Sequence, residues 1–206
     1  MPALTPTLLQ PNDTKGATLV LARAFSNSPV YAAVLRGDTD ADRERTLMRV
    51  KRGFVASVVR HGECRAVRDE DKIIGVTVIH APGQYPLSFR DEIVQATGCA
   101  TTGPVAIMRF LKISAYMRER HLKGPHYYLF AIAVDPAFQG RGIGKALLAE
   151  LHERADARKM PCYLETEKPL NVKLYESVGY RVVTDEDLPG LPSGVRMWTM
   201  VRPAST

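Results

Sequence analysis

The sequence has few of the features that mark disulfide frameworks, metal sites or membrane spans. Its 206 residues include three cysteines, Cys64, Cys99 and Cys162, which are far apart and form no CxxC motif. The five histidines are dispersed and form no HExxH motif, so we expect no metal. No stretch approaches the roughly 20 apolar residues that cross a bilayer. These absences argue against a disulfide scaffold, a zinc module and a membrane-spanning protein.

Targeting signals and blocks of like charge are also lacking. Residues 1–16 have no basic start and no apolar run of signal-peptide length, so we expect a cytoplasmic protein in a reducing compartment. The formal net charge is +6, but the 28 Lys and Arg are scattered among 22 Asp and Glu. We therefore expect no nucleic-acid partner and no membrane partner. A homodimer remains open.

What the sequence does contain is an alternation of strand and helix patterns. Its 45% hydrophobic and 24% charged residues are typical of a globular protein. Apolar periodicity and turn residues predict strands at Leu4–Gln10, Cys64–Asp69, Lys72–His80, His126–Val134, Pro161–Glu167, Tyr180–Asp185 and Val195–Pro203. They predict helices from about Asp13 to Phe25, at Asp38–Arg60, Leu87–Thr97, Pro104–Leu122 and Ile143–Met160, and from Pro169 to Gly179. We predict one mixed α/β domain spanning residues 1–206.

A glycine-rich segment, QGRGIGK at Gln139–Lys145, joins a predicted strand to a predicted helix. The start of a helix has unpaired N–H groups, and glycines let phosphate oxygens approach them. A Walker A loop does not fit, because Gln139 and Ala146 stand where a glycine and a hydroxyl are needed. A GxGxxG dinucleotide motif does not fit, because its third glycine is Lys145. The segment predicts another kind of phosphate site, or else a turn without a ligand.

The remaining pattern, Gln-x-x-Gly-x-Gly at a strand-to-helix junction, resembles the acetyl-CoA signature of the GNAT superfamily of N-acetyltransferases. Downstream, YLETEKPLNVKLYESVGY at residues 163–180 contains that superfamily's Asn-x-x-x-Tyr followed by Gly-Tyr. From about residue 127 to 202 the chain is similar to the puromycin N-acetyltransferase-like branch. The resemblance implies the GNAT fold: a single mixed, mostly antiparallel central sheet flanked by helices. It places the acetyl-CoA-binding core at about residues 126–180.

The resemblance also implies a reaction. The chain would transfer an acetyl group from acetyl-CoA to a primary amine of a small molecule, by direct attack in a ternary complex. A thioester is already activated, and the sequence has no GxSxG nucleophile motif. Two alternatives stay open: acetylation of a protein lysine or N-terminus, and a non-catalytic acyl-CoA-binding regulatory module.

The donor-binding residues follow from the same resemblance. Backbone groups of three strand residues would align the pantetheine and polarise the acetyl carbonyl, while the glycine segment would hold the pyrophosphate. Asn171 would contact the pantetheine arm and Tyr175 would protonate the leaving sulfur; they lie four residues apart and so share a helix face, beside Leu170, Leu174 and Val178. The cofactor-binding set is Ile132, Ala133, Val134, Gln139, Gly140, Arg141, Gly142, Ile143, Gly144, Lys145 and Asn171.

An acceptor amine has a pKa near 10.4 and must lose a proton before it attacks. Glu165 is our candidate base, directly or through water, because burial could raise the pKa of its carboxyl toward neutrality. Glu167 has the same strand parity and is the reserve, and His126 is a rival base. A surface carboxylate without a catalytic role is the alternative for Glu165.

The acceptor pocket is the least specified part of the sequence. Aromatic residues that could line it are Tyr31, Tyr85, Phe89 and Trp198, although each also suits a core position. The acidic run Asp185, Glu186 and Asp187 could attract a cationic amine, or form a solvated face.

Overall fold

The computed structural model describes residues 4–35, 39–59, 63–86, 98–191 and 194–205. Its strands are β1 Thr7–Leu8, β2 Arg65–Asp69, β3 Lys72–His80, β4 Tyr127–Val134, β5 Cys162–Thr166, β6 Arg181–Asp187 and β7 Arg196–Arg202. Its α-helices are α1 Thr14–Phe25, α2 Pro29–Val34, α3 Asp40–Val59, α4 Pro104–Arg120, α5 Ile143–Ala157 and α6 Pro169–Glu176. The predicted helix at Leu87–Thr97 and the candidate Phe89 lie outside the described residues.

The strands form one seven-stranded sheet in the order β1-β2-β3-β4-β5-β7-β6. Every neighbouring pair in it is antiparallel except β4 and β5, which are parallel. Parallel neighbours need a crossover connection, and α5 supplies it between these two strands. The predicted mixed, mostly antiparallel sheet is confirmed.

Helices cover both faces of the sheet. On one face α1 and α3 pack over β3 and β4, around Leu21, Val55 and Val76. On the other face α5 and α6 pack through Leu148, Leu151 and Tyr175. We call the second of these the donor face and the first the acceptor face. No helix among the described residues is long and apolar enough to cross a membrane.

The structure differs from the predicted elements mainly near prolines. β1 is only two residues long, since Pro6 and Pro11 lack the N–H that would extend its ladder. The helix predicted to end at Phe25 is followed after three residues by a helix that was not predicted, α2, which begins at Pro29. Ser28 caps its N-terminus, since the Tyr31 N–H donates to the Ser28 hydroxyl at 3.2 Å. Leu170, predicted to be part of an apolar stripe, is 77% exposed.

Candidate active site

β4 and β5 pair over a short distance and then separate. Their parallel pairing covers Tyr127↔Cys162, Tyr128↔Tyr163 and Leu129↔Leu164 and goes no further, although both strands are fully described. β4 pairs with β3 from Tyr128 to Val134, but the register shifts from Ile79↔Leu129 to Val78↔Ala131. Phe130 is therefore the extra residue of a β-bulge, the kind of irregularity that bends a strand and is common beside active sites.

The bulge and the separation coincide, so among the described residues the β5 side of β4 has no strand partner from Phe130 onward. The Val134 carbonyl accepts a hydrogen bond from the Gln139 side-chain amide at 3.3 Å. The other backbone groups on this side of β4 are free of strand pairing and can meet a ligand that enters the gap. The predicted donor residues lie here. Ala133 belongs to the acceptor-face core, while Ile132 and Val134 pack toward Ile143 on the donor face. Their side chains are packing groups, as expected if only their backbone serves a ligand.

The turn after β4 is fixed by Asp135, which is 2% exposed. Its carboxylate accepts a hydrogen bond from the Ala137 N–H at 3.1 Å and pairs with the Arg23 guanidinium at 3.1 Å and the Lys72 ammonium at 3.7 Å. A buried carboxylate with these partners is satisfied rather than reactive. It holds the start of the glycine segment in place.

The glycine segment needs glycine for its backbone conformation. Gly140 and Gly142 have φ of 78° and 81°, in the left-handed region that other residues adopt at a cost. Gly142 is the N-cap of α5, and no side chain caps that helix. A Cβ atom at Gly75 of β3 would lie 2.5 Å from the Ile143 side chain, so glycine there lets the first turn of α5 rest on the sheet. The uncapped N–H groups at the start of α5 therefore lie beside the end of β4.

A cavity of about 370 Å³ opens at this junction. Its polar groups come from the glycine segment, and its apolar groups come from β4, α5 and α6. A helix N-terminus favours an anion, and Arg141 and Lys145 are exposed nearby. The predicted pyrophosphate residues thus line or adjoin one cavity. The lining residues are Val134, Phe138, Gln139, Gly140, Gly142, Ile143, Gly144, Lys145 and Leu174.

The predicted pair on α6 lies beside this cavity. Tyr175 is 5% exposed, and burial, followed by the nearby negative charge of Glu167, raises the pKa of its hydroxyl. A tyrosine with a raised pKa stays protonated and can donate. The Asn171 amide donates to the Thr166 hydroxyl at 3.2 Å, which ties the first turn of α6 to the end of β5.

Glu165 points to the opposite face of the sheet. Side chains alternate along a strand, and Cys162 and Leu164 pack on the donor face with Tyr175. The Glu165 side chain is only 4% exposed, and its Oε1 lies 3.8 Å from Nδ1 of His121. Tyr175 and Glu165 thus approach the end of the β4–β5 pairing from opposite faces.

Glu167, the reserve base, and His126, the rival base, lie in different surroundings. Burial raises the pKa of the Glu167 carboxyl, while contacts with Ser28, Lys168 and Lys51 oppose that rise. His126, directly before β4, is buried, with 7% of its surface exposed. Burial lowers the pKa of its imidazole.

The aromatic candidates for the acceptor pocket separate into two groups. The ring of Tyr85 lies 4.1 Å from that of His121, and the Tyr31 hydroxyl accepts from the Lys51 ammonium at 2.7 Å, both on the acceptor face. Trp198 instead packs against the donor-face core.

The acidic run on β6 is already paired in part. The Asp185 carboxylate pairs with the Arg196 guanidinium at 2.6 Å, and the Glu186 carboxylate pairs with Arg120 at 2.7 Å. These ion pairs favour the solvated face over attraction of a cationic amine.

Two residues of this region have no counterpart in the sequence prediction. His121 follows α4 and has no marker in the sequence, because it lies far along the chain from Glu165. The helical pattern puts Lys51 on the polar side of α3, yet it is 4% exposed and its ammonium lies 4.8 Å from the Phe25 ring centroid and 4.7 Å from that of Tyr31. Within the described residues, no group of three or more His, Cys, Asp or Glu could hold a metal ion.

Comparison with known proteins gives the family. The chain matches the model described as the Acetyltransferase (GNAT) family over residues 33–180. The chain belongs to the GNAT acetyltransferase family. This membership makes the protein an N-acetyltransferase, and the seven-stranded sheet with its separated β4 and β5 is the family's fold.

Similar proteins support the assignment along the whole chain. An uncharacterised N-acetyltransferase of Schizosaccharomyces pombe is 28% identical over 201 residues, covering 87% of this GNAT chain and 84% of its own length. A histone acetyltransferase HPA2 and related acetyltransferase from Corynebacterium glutamicum has a TM-score of 0.67 at 21% identity, covering 98% and 97% of the two chains. A polyamine N-acetyltransferase of Drosophila melanogaster, which forms N-acetylagmatine, has a TM-score of 0.66 at 18% identity, covering 97% and 99%.

Proposed function

We propose that this N-acetyltransferase takes an acetyl group from acetyl-CoA and transfers it to a primary amine of a small molecule by direct attack in a ternary complex. The observation that carries the proposal is the gap between β4 and β5. It has an anion-binding cavity at one end, Tyr175 on one face and Glu165 on the other.

Acetyl-CoA would bind mainly through hydrogen bonds to backbone groups of the protein. Its pyrophosphate would lie against the amides of Gly140–Lys145, where the uncapped helix start and two exposed cations favour negative charge. Its pantetheine arm would enter the gap along Ile132–Val134, with Asn171 alongside. The bulge at Phe130 exposes backbone N–H groups at the point where the acetyl carbonyl would become an oxyanion. Donors aimed at such a charge are worth several kcal/mol in transition-state stabilisation, about 3–4 kcal/mol each.

The residues on the two faces would then divide the proton transfers. Glu165 would receive the proton of the acceptor ammonium, and Tyr175 would give a proton to the departing thiolate. Burial keeps Tyr175 protonated, which suits an acid that acts once sulfur carries charge. Glu167, which also lies close enough to influence Tyr175, is the reserve for the base.

A small acceptor is favoured over a peptide by the contacts around Glu167. The loop between α1 and α2 rests on the turn after β5, where the Lys168 ammonium donates to Asn27 at 2.7 Å. Ser28, fully buried in the same loop, forms a hydrogen bond with the Glu167 side chain. This loop therefore limits the space through which an acceptor can reach the gap between β4 and β5 from the acceptor face. The polyamine enzyme of similar fold, which forms N-acetylagmatine, supports a small amine as well.

Two measurements test the proposal. Acetyl-CoA at 100 times its Kd should stabilise the fold by about 2.7 kcal/mol, seen as a rise in Tm. An unchanged Tm at saturating acetyl-CoA would contradict the assignment of acetyl-CoA as the donor. Thiol release from acetyl-CoA should then be screened against puromycin, agmatine, arylalkylamines and a lysine peptide. Turnover with the peptide alone would replace the small acceptor by a protein.

A further inference from the structure

Two histidines lie behind Glu165 and contact each other. His121 directly follows α4, and His126 directly precedes β4. Their Nε2 atoms are 3.0 Å apart, and Nδ1 of His126 lies 2.7 Å from the Gly124 carbonyl oxygen. Both distances are those of hydrogen bonds. Glu165, His121, His126 and Gly124 therefore form a continuous chain of polar contacts.

The partners of His126 determine where its proton and that of His121 reside. A carbonyl oxygen only accepts, so Nδ1 of His126 carries the hydrogen that it donates to Gly124. Nε2 of neutral His126 is then an acceptor, and Nε2 of His121 must be the donor to it. Neutral His121 consequently has no hydrogen on Nδ1, the atom that faces Glu165.

The atoms that face each other at the other end are both unsatisfied. Nδ1 of His121 and Oε1 of Glu165 are buried and have no hydrogen-bond partner within the described part of the chain. Their side chains are 9% and 4% exposed, and the atoms are 3.8 Å apart. Two buried lone pairs that face each other cost free energy unless a proton or a water lies between them. The arrangement thus has room for one additional proton.

We propose that His121 and His126 relay the acceptor's proton from Glu165 to solvent, which makes them positioning residues of the reaction proposed above. The amine proton binds first to the Glu165 carboxylate and then to Nδ1 of His121. The proton on Nε2 of His121 passes to Nε2 of His126. The proton on Nδ1 of His126 leaves to a solvent water that replaces the Gly124 carbonyl as its acceptor, beside the exposed Gly124. One proton enters and one leaves, and Glu165 returns to the carboxylate form. The hydrogens then reside on Nδ1 of His121 and Nε2 of His126, and rotation of the two rings restores the starting tautomers before the next turnover.

The groups around His121 favour transfer of the proton to His126 over transfer to a neighbouring tyrosine. From the described elements, the titratable groups that face it are Glu165 and His126 together with three aromatic hydroxyls, and His80 lies one ring further, 5.8 Å from Tyr128. Burial, followed by the charge of Glu165, raises the pKa of Tyr128 and of Tyr163, so these hydroxyls stay neutral. Rings of the three tyrosines lie 4.1–4.7 Å from that of His121 and exclude water from its sides: Tyr85, Tyr128 and Tyr163.

The surroundings of His126 also favour release of the proton to solvent. Burial lowers the pKa of His126, so a proton that reaches this imidazole is lost quickly at neutral pH. Lys123, Gly124 and Pro125 are all exposed, which leaves Nδ1 one hydrogen bond away from the surface. A purely structural histidine pair needs neither an unsatisfied atom at one end nor an exposed carbonyl at the other.

The first test does not depend on finding the acceptor. Nitrogen-15 NMR of labelled protein near pH 8 should show His126 with its hydrogen on Nδ1 and His121 with its hydrogen on Nε2. In the Glu165→Gln variant, the side-chain amide can donate to Nδ1 of His121, so the nitrogen-15 shift of this atom should change. The opposite tautomers, or an unchanged Nδ1 shift in this variant, would overturn the relay while leaving the proposed function intact.

The second test is kinetic. His121→Gln and His126→Gln keep hydrogen-bonding amides but cannot carry a proton, and we expect kcat to fall on the order of tenfold for each. The proton inventory in H₂O/D₂O mixtures should change from curved to linear. His152→Gln, on the donor face, is the matched control and should retain the wild-type inventory. A curved inventory in both relay variants would overturn the relay, whereas a wild-type protein without transfer to any amine would overturn the proposed function.

Discussion

The donor face and the acceptor face of the gap differ in the groups they present: mainly backbone groups on the donor face and buried side chains on the acceptor face. On the donor face, a contiguous segment, Gln139–Lys145, offers mainly backbone groups to the cavity, and its exposed Arg141 and Lys145 side chains add positive charge. On the acceptor face, buried side chains from separate parts of the chain meet: Glu165, His121 and His126. A site made of backbone tolerates side-chain changes but not changes of φ. A site made of buried side chains has the reverse sensitivity.

The largest effect should come from the acceptor face. Replacing Glu165 by Gln keeps the side-chain volume but removes the base, so we expect kcat/KM to fall by about 10²–10⁴. The rise of Tm with acetyl-CoA should not change, because we propose that the donor binds in the cavity of the other face. Glu167→Gln is the comparison variant. If it lost more activity than Glu165→Gln, the reserve base would be the true one.

Tyr175→Phe should produce the next largest effect. Removing the hydroxyl should lower kcat about a hundredfold while leaving the Kd for acetyl-CoA unchanged, as measured by titration calorimetry. Tyr180→Phe is a matched control, since its ring lies 5.6 Å from that of Tyr175 and its hydroxyl contacts His152 rather than the cavity. Equal losses in the two variants would point to packing instead of proton donation.

The glycine segment should respond to backbone strain. Gly142→Ala forces alanine into a φ of 81°, which costs about 1–2 kcal/mol and lowers Tm by roughly 2–4 °C per kcal/mol in a chain of this size. It should also weaken acetyl-CoA binding. Gly194→Ala has the same kind of φ, 91°, with open space around it and no part in the cavity. The control should lose the same stability and keep its affinity; a matching loss of affinity would contradict the donor assignment.

The smallest expected effect is a loss of folding stability at acidic pH. Burial lowers the pKa of His152 from 6.5 to about 4, so below pH 6.5 the unfolded chain binds a proton that the folded chain does not. Stability is therefore full above pH 6.5 and is lost as the pH falls toward 4. Because this side chain is partly exposed, the loss should not exceed about 2 kcal/mol.

Urea unfolding of His152→Gln between pH 7 and 5 measures that acid effect, and its stability should depend less on pH than that of the wild type. His126→Gln makes the parallel measurement for the acceptor face, where burial also lowers the pKa of the histidine. If neither variant flattened the pH dependence, carboxylates would be the groups responsible.

The contrast between the faces also explains what could be predicted from the sequence. Donor-side residues occur close together at fixed spacings, so the resemblance to the GNAT signature is enough to propose Gly140, Gly142 and Tyr175. The alternation of strand and helix patterns is enough for the mixed α/β class. Glu165 can be proposed as the base because it lies within a recognisable strand pattern.

The remaining features depend on tertiary packing. The Phe130 bulge has no marker in the strand HYYLFAIAV, because only the pairing with β3 reveals the shift. His121 meets Glu165 only after the sheet has formed. Lys51 has a charged side chain, yet α3 buries its ammonium against aromatic rings, an environment that a hydrophobic pattern cannot represent.

The three residue pairs between β4 and β5 form a seam between two smaller sheets, β1–β4 and β5–β7–β6. A pantetheine arm in the gap would continue the hydrogen bonding where the seam ends, in the manner of an added strand. Amide protons of residues 130–134 would then exchange with deuterium more slowly when acetyl-CoA is bound. The cohesion of the two halves would rise and fall with the cellular supply of the donor.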